Sequence, residues 1–155
     1  MLNAANSSLV GGNGVDGAIH KAAGPELLEE CIKIVNQRSP EIPCPTGDAV
    51  ITTAGKLPAK YVIHTVGPVW YGGNQGEPEL LTSCYRKSLF LAQEAGLESI
   101  AFPNISTGVY GYPKEKAVDI ATSTVLETLP ETVNIKRVIF VCFDQENYSL
   151  YRSFN

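Results

Sequence analysis

The sequence lacks every segment that would direct a chain into or onto a membrane. It has no secretory signal sequence, no apolar run of about 18 residues and no lipidation motif. It also lacks a stripe of basic residues, since 12 Lys and Arg stand against 16 Asp and Glu and the net charge is −4. A nucleic-acid partner held by counterion release is therefore not expected. A phosphate-bearing ligand would have to be held by backbone amides.

The cysteines form no metal or redox motif in the sequence. Cys31, Cys44, Cys84 and Cys142 are scattered, with no C-x-x-C pair and no histidine nearby at metal-ligand spacing. We expect reduced, partly buried thiols, no bound metal and no cofactor. Because free thiols persist in reducing compartments, we expect a cytoplasmic protein.

Two common nucleotide-binding motifs are also missing. No segment has the P-loop spacing that ends in Lys-Ser/Thr, which argues against nucleoside triphosphate hydrolysis. Residues 12–17, Gly-Asn-Gly-Val-Asp-Gly, match the dinucleotide pattern G-x-G-x-x-G by letter. That match is weak, because the expected preceding strand is missing and Asp16 would stand inside the phosphate turn.

Helical and strand-like segments alternate along the chain. At 155 residues it is long enough for a single core, and we expect one domain over residues 1–155. The alternation predicts an α/β fold with a mixed, mostly parallel sheet covered on both faces. Helices are predicted at 14–23, from Pro25 onward, at 79–95, at 114–129 and up to 151, and strands at 49–53, 61–66, 99–103 and 137–143, the last strongly buried.

A polar, glycine-rich opening loop runs into an amphipathic helix over residues 3–20. Glycines let the backbone approach a ligand, and the amides at a helix start attract an anion. Asn6 and Asp16 bracket this loop with groups that can hold hydroxyls or a water molecule. A second polar loop covers residues 104–113. Because ligands of open α/β sheets lie beyond the carboxyl ends of strands, both loops and the turn after Phe143 are expected to share one cleft.

Six segments of the sequence form a distinctive set. They are Asn-Ala-Ala-Asn-Ser-Ser at 3–8, Gly-Gly-Asn-Gly-Val-Asp-Gly-Ala-Ile-His at 11–20, Ala-Ala-Gly-Pro at 22–25, Cys-Pro-Thr-Gly-Asp-Ala at 44–49, Val-Ile-His-Thr-Val-Gly-Pro at 62–68 and Ile-Ser-Thr-Gly-Val-Tyr-Gly-Tyr-Pro at 105–113. Together they resemble a macrodomain of the MacroD type, and the resemblance covers nearly the whole chain. It implies a three-layer α/β/α sandwich that binds ADP-ribose. It further implies deacetylation of O-acetyl-ADP-ribose and removal of mono-ADP-ribose from acidic side chains of modified proteins.

The resemblance also implies roles for individual residues. Asn6 would orient the ribose next to the bond that breaks, and Asp16 would hold or polarise the attacking water, so these two are the expected catalytic residues. The expected ligand-binding residues are Asn3, the helix-start amides of Gly14 and Val15, the diphosphate loop of Ser106, Thr107, Gly108, Val109 and Tyr110, and Phe143 against the adenine.

Each assignment has an alternative. Asp16 could act only on the helix dipole, Asn6 could satisfy a local turn, and Phe143 could belong to the core. His20 and His64 are interpreted as structural, although His20 lies one helical turn after Asp16. For the whole chain, the alternatives are a non-catalytic ADP-ribose-binding module and, more distantly, a protein that binds nothing.

The chain departs from the family pattern in two places. Asn13 stands where the family has a third glycine. The family also carries a segment ahead of Asn3 with an edge strand, a Gly-Asp-Ile turn and a strand that enters the opening loop. We expect these strands to be missing, so that the fold is N-terminally truncated, with either a rearranged sheet or a strand-mediated dimer. Weaker discrimination of adenine is expected as well.

Overall fold

The computed structural model describes residues 1–154 and confirms the alternation of strands and helices. Helix and strand ends agree with the prediction to within a few residues. Among the described residues no helix has the length and apolar character that a membrane crossing requires. The elements are β1 (Leu2–Ala4), α1 (Gly14–Ala23), α2 (Pro25–Gln37), β2 (Ala49–Thr53), β3 (Tyr61–Thr65), α3 (Glu77–Glu94), β4 (Ser99–Phe102), α4 (Lys114–Thr128), a 3-10 turn (Leu129–Glu131), β5 (Arg137–Phe140) and α5 (Gln145–Arg152).

Gly24 separates α1 from α2. Its φ of 81° lies in the left-handed region, which glycine adopts without a Cβ penalty. The Gly24 amide donates to the carbonyl oxygen of His20 at 3.1 Å and so closes α1, while Pro25 suits the first turn of α2. This sharp junction lets both helices lie against the same face of the sheet.

Strand β3 is the centre of a three-stranded sheet. It pairs in parallel with β1, where Asn3 stands opposite His64, and antiparallel with β2, where Val50 stands opposite the same histidine. Strands β4 and β5 form a parallel pair. The predicted mixed, mostly parallel arrangement is confirmed. Within residues 1–154 the hydrogen-bonded ladder is interrupted between β1 and β4, which lie side by side.

The expectation that the strand entering the opening loop is missing is wrong. Strand β1 covers Leu2–Ala4 and aligns with β3 over its whole length. The Ile63 amide donates to the Met1 carbonyl at 2.9 Å, and the Ala5 amide donates to the Thr65 carbonyl at 2.8 Å. Because β3 supports both ends of β1, three residues suffice to deliver Asn3 and the opening loop to the edge of the sheet.

Helices cover the sheet on both faces, as predicted for a three-layer sandwich. Successive side chains of β3 point to opposite faces, so Val62 packs with α1 and α2 while Ile63 packs with α3. Leu27 of α2 and Tyr85 of α3 are both almost completely buried in these layers. The site residues therefore stand on a sheet that is held from two sides.

Strand β5 is not strongly buried, contrary to the prediction. In the described part of the chain it pairs only with β4, so it is an edge strand. Phe140 packs against Tyr151 of α5 with 4.7 Å between ring centroids, but Ile139 and Val141 on the other face are 37% and 56% exposed. An apolar run in a sequence does not show which of its two faces another element covers.

Candidate active site

Asp16 is a buried carboxylate in the first turn of α1. The residue is 4% exposed, and its Oδ1 accepts a hydrogen bond from Asn3 Nδ2 at 2.8 Å. Its Oδ2 is buried and has no partner among residues 1–154. Burial of a carboxylate costs free energy unless its oxygens are paired. Since buried polar atoms are nearly always paired, Oδ2 is a candidate acceptor for a water or ligand hydroxyl.

His20 stands directly beside Asp16. Its Nε2 lies 3.5 Å from Asp16 Oδ1, one helical turn away on the same face of α1. His20 is interpreted from the sequence as structural, and the structure places its ring beside the Asp16 carboxylate. Residues four apart on a helix lie next to each other on its surface. The spacing of Asp16 and His20 was therefore the feature of the sequence that could have indicated their contact.

Asn6 and Asp16 approach the same point of the opening loop. A Cβ atom on Gly12 would lie 2.9 Å from Asn6 Nδ2 and 3.1 Å from Asp16 Oδ2. Asn6 also bonds within its own loop, because its Nδ2 donates to the Gly11 carbonyl at 2.9 Å and its Oδ1 accepts from the Ser8 hydroxyl. The position of Asn6 is therefore compatible with a role in ligand binding beside Asp16 and also with a role in stabilising its own loop.

The start of α1 leaves backbone amides open to a ligand. The N-cap residue, Asn13, makes no side-chain hydrogen bond to the helix. Gly14 and Val15 follow it and are exposed. Since the first amides of a helix have no partner inside the helix, this end of α1 can hold an anion.

Ser106 has the most unusual backbone of the second loop. Its φ of 65° is rare for a residue other than glycine. The residue is 8% exposed, and its Oγ is buried without a partner in the described chain. The Tyr112 amide donates to the Ser106 carbonyl at 2.9 Å and holds the loop in a tight turn. A strained backbone with an unpaired hydroxyl is typical of a ligand-binding turn.

The three loops leave the same edge of the sheet. Phe143 N donates to Asn104 Oδ1 at 3.1 Å, which joins the turn after β5 to the second loop. Gly67, just after β3, packs against Ser106. As the opening loop is bonded to the end of β3 through Ala5 and Thr65, the three segments surround one region, as predicted.

The predicted ligand-binding side chains are open to solvent at the far end of this region. Val109 is 99% exposed and Phe143 is 96% exposed, so the interpretation of Phe143 as a core residue is wrong. A cavity of about 420 Å³ adjoins the opening loop and is lined in part by Gly11, Gly12 and His20. A ligand that reached from Asp16 to Phe143 would extend from a buried carboxylate to an exposed aromatic ring.

A second layer of polar side chains lies behind Asn3, and the sequence analysis did not find it. Asn3 Nδ2 lies 3.1 Å from His64 Nδ1, and His64 Nε2 lies 2.9 Å from Thr52 Oγ1. Asn3 and His64 are fully buried. Burial, and then the nearby His20, lower the pKa of His64 to about 4. His64 is therefore neutral at neutral pH.

Cys31 also lies against this layer, so the fold brings a cysteine close to histidines from which it is distant in the sequence. Ligand atoms of His20, Cys31 and His64 all lie within 4.8 Å of one another. Both nitrogens of His64 are already used, by Asn3 and Thr52. Burial, followed by the charges of Asp16 and Glu30, raises the pKa of the Cys31 thiol to about 11. A metal would have to displace those hydrogen bonds and the thiol proton, so the donor set does not favour one.

Comparisons of the sequence with known proteins agree with these features. The Macro domain family model matches residues 2–121. A macro domain-containing protein of Cupriavidus necator is 58% identical over 152 residues, which cover 98% of this chain and 86% of that protein. A protein of Escherichia fergusonii named O-acetyl-ADP-ribose deacetylase is 57% identical over 151 residues, covering 97% of this chain and 84% of that protein.

Solved structures give the same result. The macrodomain of Oceanobacillus iheyensis with ADP has a TM-score of 0.92 at 47% identity, covering 98% of this chain and 80% of that chain. The macrodomain of Trypanosoma brucei in complex with ADP-ribose has a TM-score of 0.87 at 42% identity, covering 99% of this chain and 61% of that chain. Each likeness thus extends over nearly all of the present chain.

Proposed function

This chain belongs to the macrodomain family, and on that basis we propose that it binds ADP-ribose and hydrolyses ADP-ribosyl esters, O-acetyl-ADP-ribose among them. The observation that carries the proposal is the buried Asp16 carboxylate, whose Oδ2 has no partner in residues 1–154 and faces the same glycine as Asn6. The name of the Escherichia fergusonii relative and the ligand of the Trypanosoma brucei structure support it. Release of mono-ADP-ribose from acidic side chains of proteins is proposed as a second reaction of the same site.

The proposed deacetylation needs a positioned water rather than a covalent intermediate. Asn6 orients the acylated ribose, and Asp16 Oδ2 accepts a proton from the water as its oxygen bonds to the acyl carbon. The ester C–O bond then breaks, the ribose oxygen takes the proton held by Asp16, and the acetic acid formed releases its proton to solvent, so that acetate and ADP-ribose leave and Asp16 is again ionised. General-base assistance of this kind typically contributes about 10² to 10⁴ in rate.

The rest of the ligand would be held mostly by backbone amides and one aromatic ring. The net charge is −4 and the sequence contains no run of Lys and Arg residues longer than two, so backbone amides are proposed to hold the diphosphate. Phe143 is free to stack on adenine, a contact worth about 1–3 kcal/mol. The proposed binding residues are Asn3, Gly14, Val15, Ser106, Thr107, Gly108, Val109, Tyr110 and Phe143.

Calorimetric titration with ADP-ribose, run beside a deacetylation assay with O-acetyl-ADP-ribose, tests this function. Binding together with turnover supports the hydrolase. Binding without turnover supports the alternative, a non-catalytic ADP-ribose-binding module, which the local hydrogen bonds of Asn6 favour. Absence of binding contradicts both.

The Gly12→Ala substitution is expected to lower turnover by about 10-fold or more, because its new methyl group would displace Asn6 or Asp16 from their present approach. Steady-state kinetics with O-acetyl-ADP-ribose measures the effect, and the melting temperature reports folding. The control is Asn13→Ala, which changes the next side chain in an exposed position that caps no helix amide. Equal turnover of Gly12→Ala and the native protein would show that the close approach of Asn6 and Asp16 to Gly12 does not contribute to catalysis.

We also propose a single domain over residues 1–155 and a cytoplasmic location. The family match ends at residue 121, but β5 pairs with β4 and α5 packs against α4 and Phe140. The later elements thus belong to the same core. Cys31, Cys44, Cys84 and Cys142 are all free thiols, which suits a reducing compartment.

The strand-mediated dimer is likewise a proposal, and β5 is the strand that favours it. Its edge away from β4 has no strand partner in residues 1–154, and Ile139 and Val141 expose apolar side chains on one face. Such edges pair with other strands, and a charged residue prevents this. Light scattering after size exclusion is expected to show a dimer, which Ile139→Lys converts to a monomer.

Leu126→Lys is the matched control for this experiment, because Leu126 is a 70% exposed apolar residue of α4 and does not belong to β5. It should leave the dimer intact. A native protein that stays monomeric at high concentration would remove the dimer proposal.

A further inference from the structure

We propose that His64 is a positioning residue for the hydrolysis: it fixes the side-chain amide of Asn3 so that its nitrogen holds Asp16 and its oxygen is presented to the ligand. The inference rests on the proposed function and adds a residue that is fully buried and does not meet the ligand itself. It follows from counting protons along one chain of hydrogen bonds.

The count begins at the Asn3 amide nitrogen. This atom lies 2.8 Å from Asp16 Oδ1 and 3.1 Å from His64 Nδ1. An amide nitrogen carries two protons, so it satisfies both neighbours only if each of them is an acceptor. A flipped amide would instead place its oxygen against the Asp16 carboxylate. Asp16 and His64 together therefore select one orientation of Asn3.

The same count assigns the tautomer of His64. Because Nδ1 accepts from Asn3, the ring proton must be on Nε2, which donates to Thr52 Oγ1 at 2.9 Å. The Thr52 hydroxyl in turn donates to the Thr53 carbonyl at 2.9 Å. Every donor in this series of hydrogen bonds is thus used, and the series ends on the backbone of β2.

The surroundings of His64 keep it in this form. His20 faces it from α1, with 6.3 Å between ring centroids, and Cys31 faces it from α2, with Sγ 3.9 Å from His64 Nε2. The lowered pKa of His64 keeps the ring neutral in the physiological range. A protonated His64 ring would carry a hydrogen on Nδ1 that is directed at the Asn3 amide nitrogen. The hydrogen bond between Asn3 and His64 would then be lost.

The consequence appears at the ligand. Asn3 Oδ1 is buried and has no partner in residues 1–154, and Asp16 Oδ2 is in the same condition. Both protons of the Asn3 amide nitrogen are used. The side-chain atom of Asn3 that can still form a hydrogen bond is therefore Oδ1, which is an acceptor. The site therefore offers an acceptor to a hydroxyl donor, such as a ribose hydroxyl, and His64 determines this polarity without touching the ligand.

The first test reads the tautomer directly. Nitrogen-15 NMR of the ligand-free protein, with histidine labelled in the ring, should show a proton on Nε2 and none on Nδ1 of His64. The signal should stay unchanged between about pH 5 and 8. A proton on Nδ1, or a charged ring in that range, overturns the inference.

The second test compares two substitutions. His64→Asn keeps an acceptor near the position of Nδ1, whereas His64→Leu keeps similar volume but no acceptor. We expect kcat to fall about 10- to 100-fold in His64→Leu and to recover to within about 3-fold of native in His64→Asn. A purely structural role would lower the melting temperature of both variants and leave the kcat of folded protein unchanged, and that result overturns the inference.

Thr52→Val supplies a further variant in case His64→Leu does not fold. It removes the acceptor for His64 Nε2, and a several-fold loss of kcat is expected. Thr128→Val is the control, because Thr128 is also buried and its hydroxyl donates within its own helix, to the Thr124 carbonyl at 2.6 Å. Equal kcat values in Thr52→Val and Thr128→Val contradict the positioning role. Lack of turnover in the native protein would contradict the proposed function instead. The NMR measurement of the His64 tautomer would then still show whether His64 holds Asn3 by the proposed hydrogen bonds.

Discussion

The Asp16→Ala variant is expected to lose about 10²- to 10⁴-fold in kcat for O-acetyl-ADP-ribose, while its Kd for ADP-ribose changes by less than about 10-fold. The substitution removes the only buried carboxylate oxygen of the site that has no partner among residues 1–154. Without it, no group at this position accepts the proton of the attacking water. Binding is affected less, because the proposed diphosphate and adenine contacts come from other segments.

Calorimetry and single-turnover kinetics separate these two effects. The matched control is Glu115→Ala, which removes an exposed acid from the first turn of α4. If Asp16 acted only on a helix dipole, the two variants would lose similar, small amounts of stability and no activity. Undiminished turnover in Asp16→Ala would refute the catalytic role.

The free energy of unfolding is expected to fall by about 3 kcal/mol as the pH is lowered from 6.5 to 4, because His64 is buried in its neutral form. The ordinary pKa of histidine is about 6.5, and in the folded protein it is about 4. Between these values the unfolded chain binds a proton that the folded protein does not. The stabilisation is therefore complete above pH 6.5, declines through this window, and is absent below pH 4.

Urea unfolding at several pH values measures this slope, and His64→Asn should remove most of it. Asp48 and Asp144 also have lowered pKa values, Asp48 because the Ala49 amide, Lys87 and Arg38 outweigh its burial, and Asp144 through the Asn147 amide and Lys114. Their contributions are lost only as the pH falls through and below the ordinary aspartate value of 3.8. An unchanged slope between pH 5 and about 6.5 in His64→Asn would show that another group causes it.

The local elements near the site were well predicted from the sequence. The glycine-rich loop before α1 pointed to Asp16, and a polar loop was predicted after β4, because turn residues and helix starts depend on neighbours in the chain. The role of Ser106 within that second loop came only from the family resemblance. Strand β1 was missed because a strand of three residues has no periodicity to detect. The burial of β5 was overestimated because an apolar run does not reveal whether a helix covers each face.

The sequence by itself determined the order of strands and helices, the glycine-rich loop in front of α1 and the likeness to macrodomains. Only the tertiary structure decided which polar groups stand behind the loop. Asn3, Thr52 and His64 lie on three different strands. Only the pairing of β1 and β2 with β3 places Asn3 opposite His64 and brings the Thr52 hydroxyl within 2.9 Å of the His64 ring. A hydrogen bond between side chains is made or lost when the donor–acceptor distance changes by a few tenths of an ångström. These distances are set by sheet register and burial, which no local pattern of residues specifies.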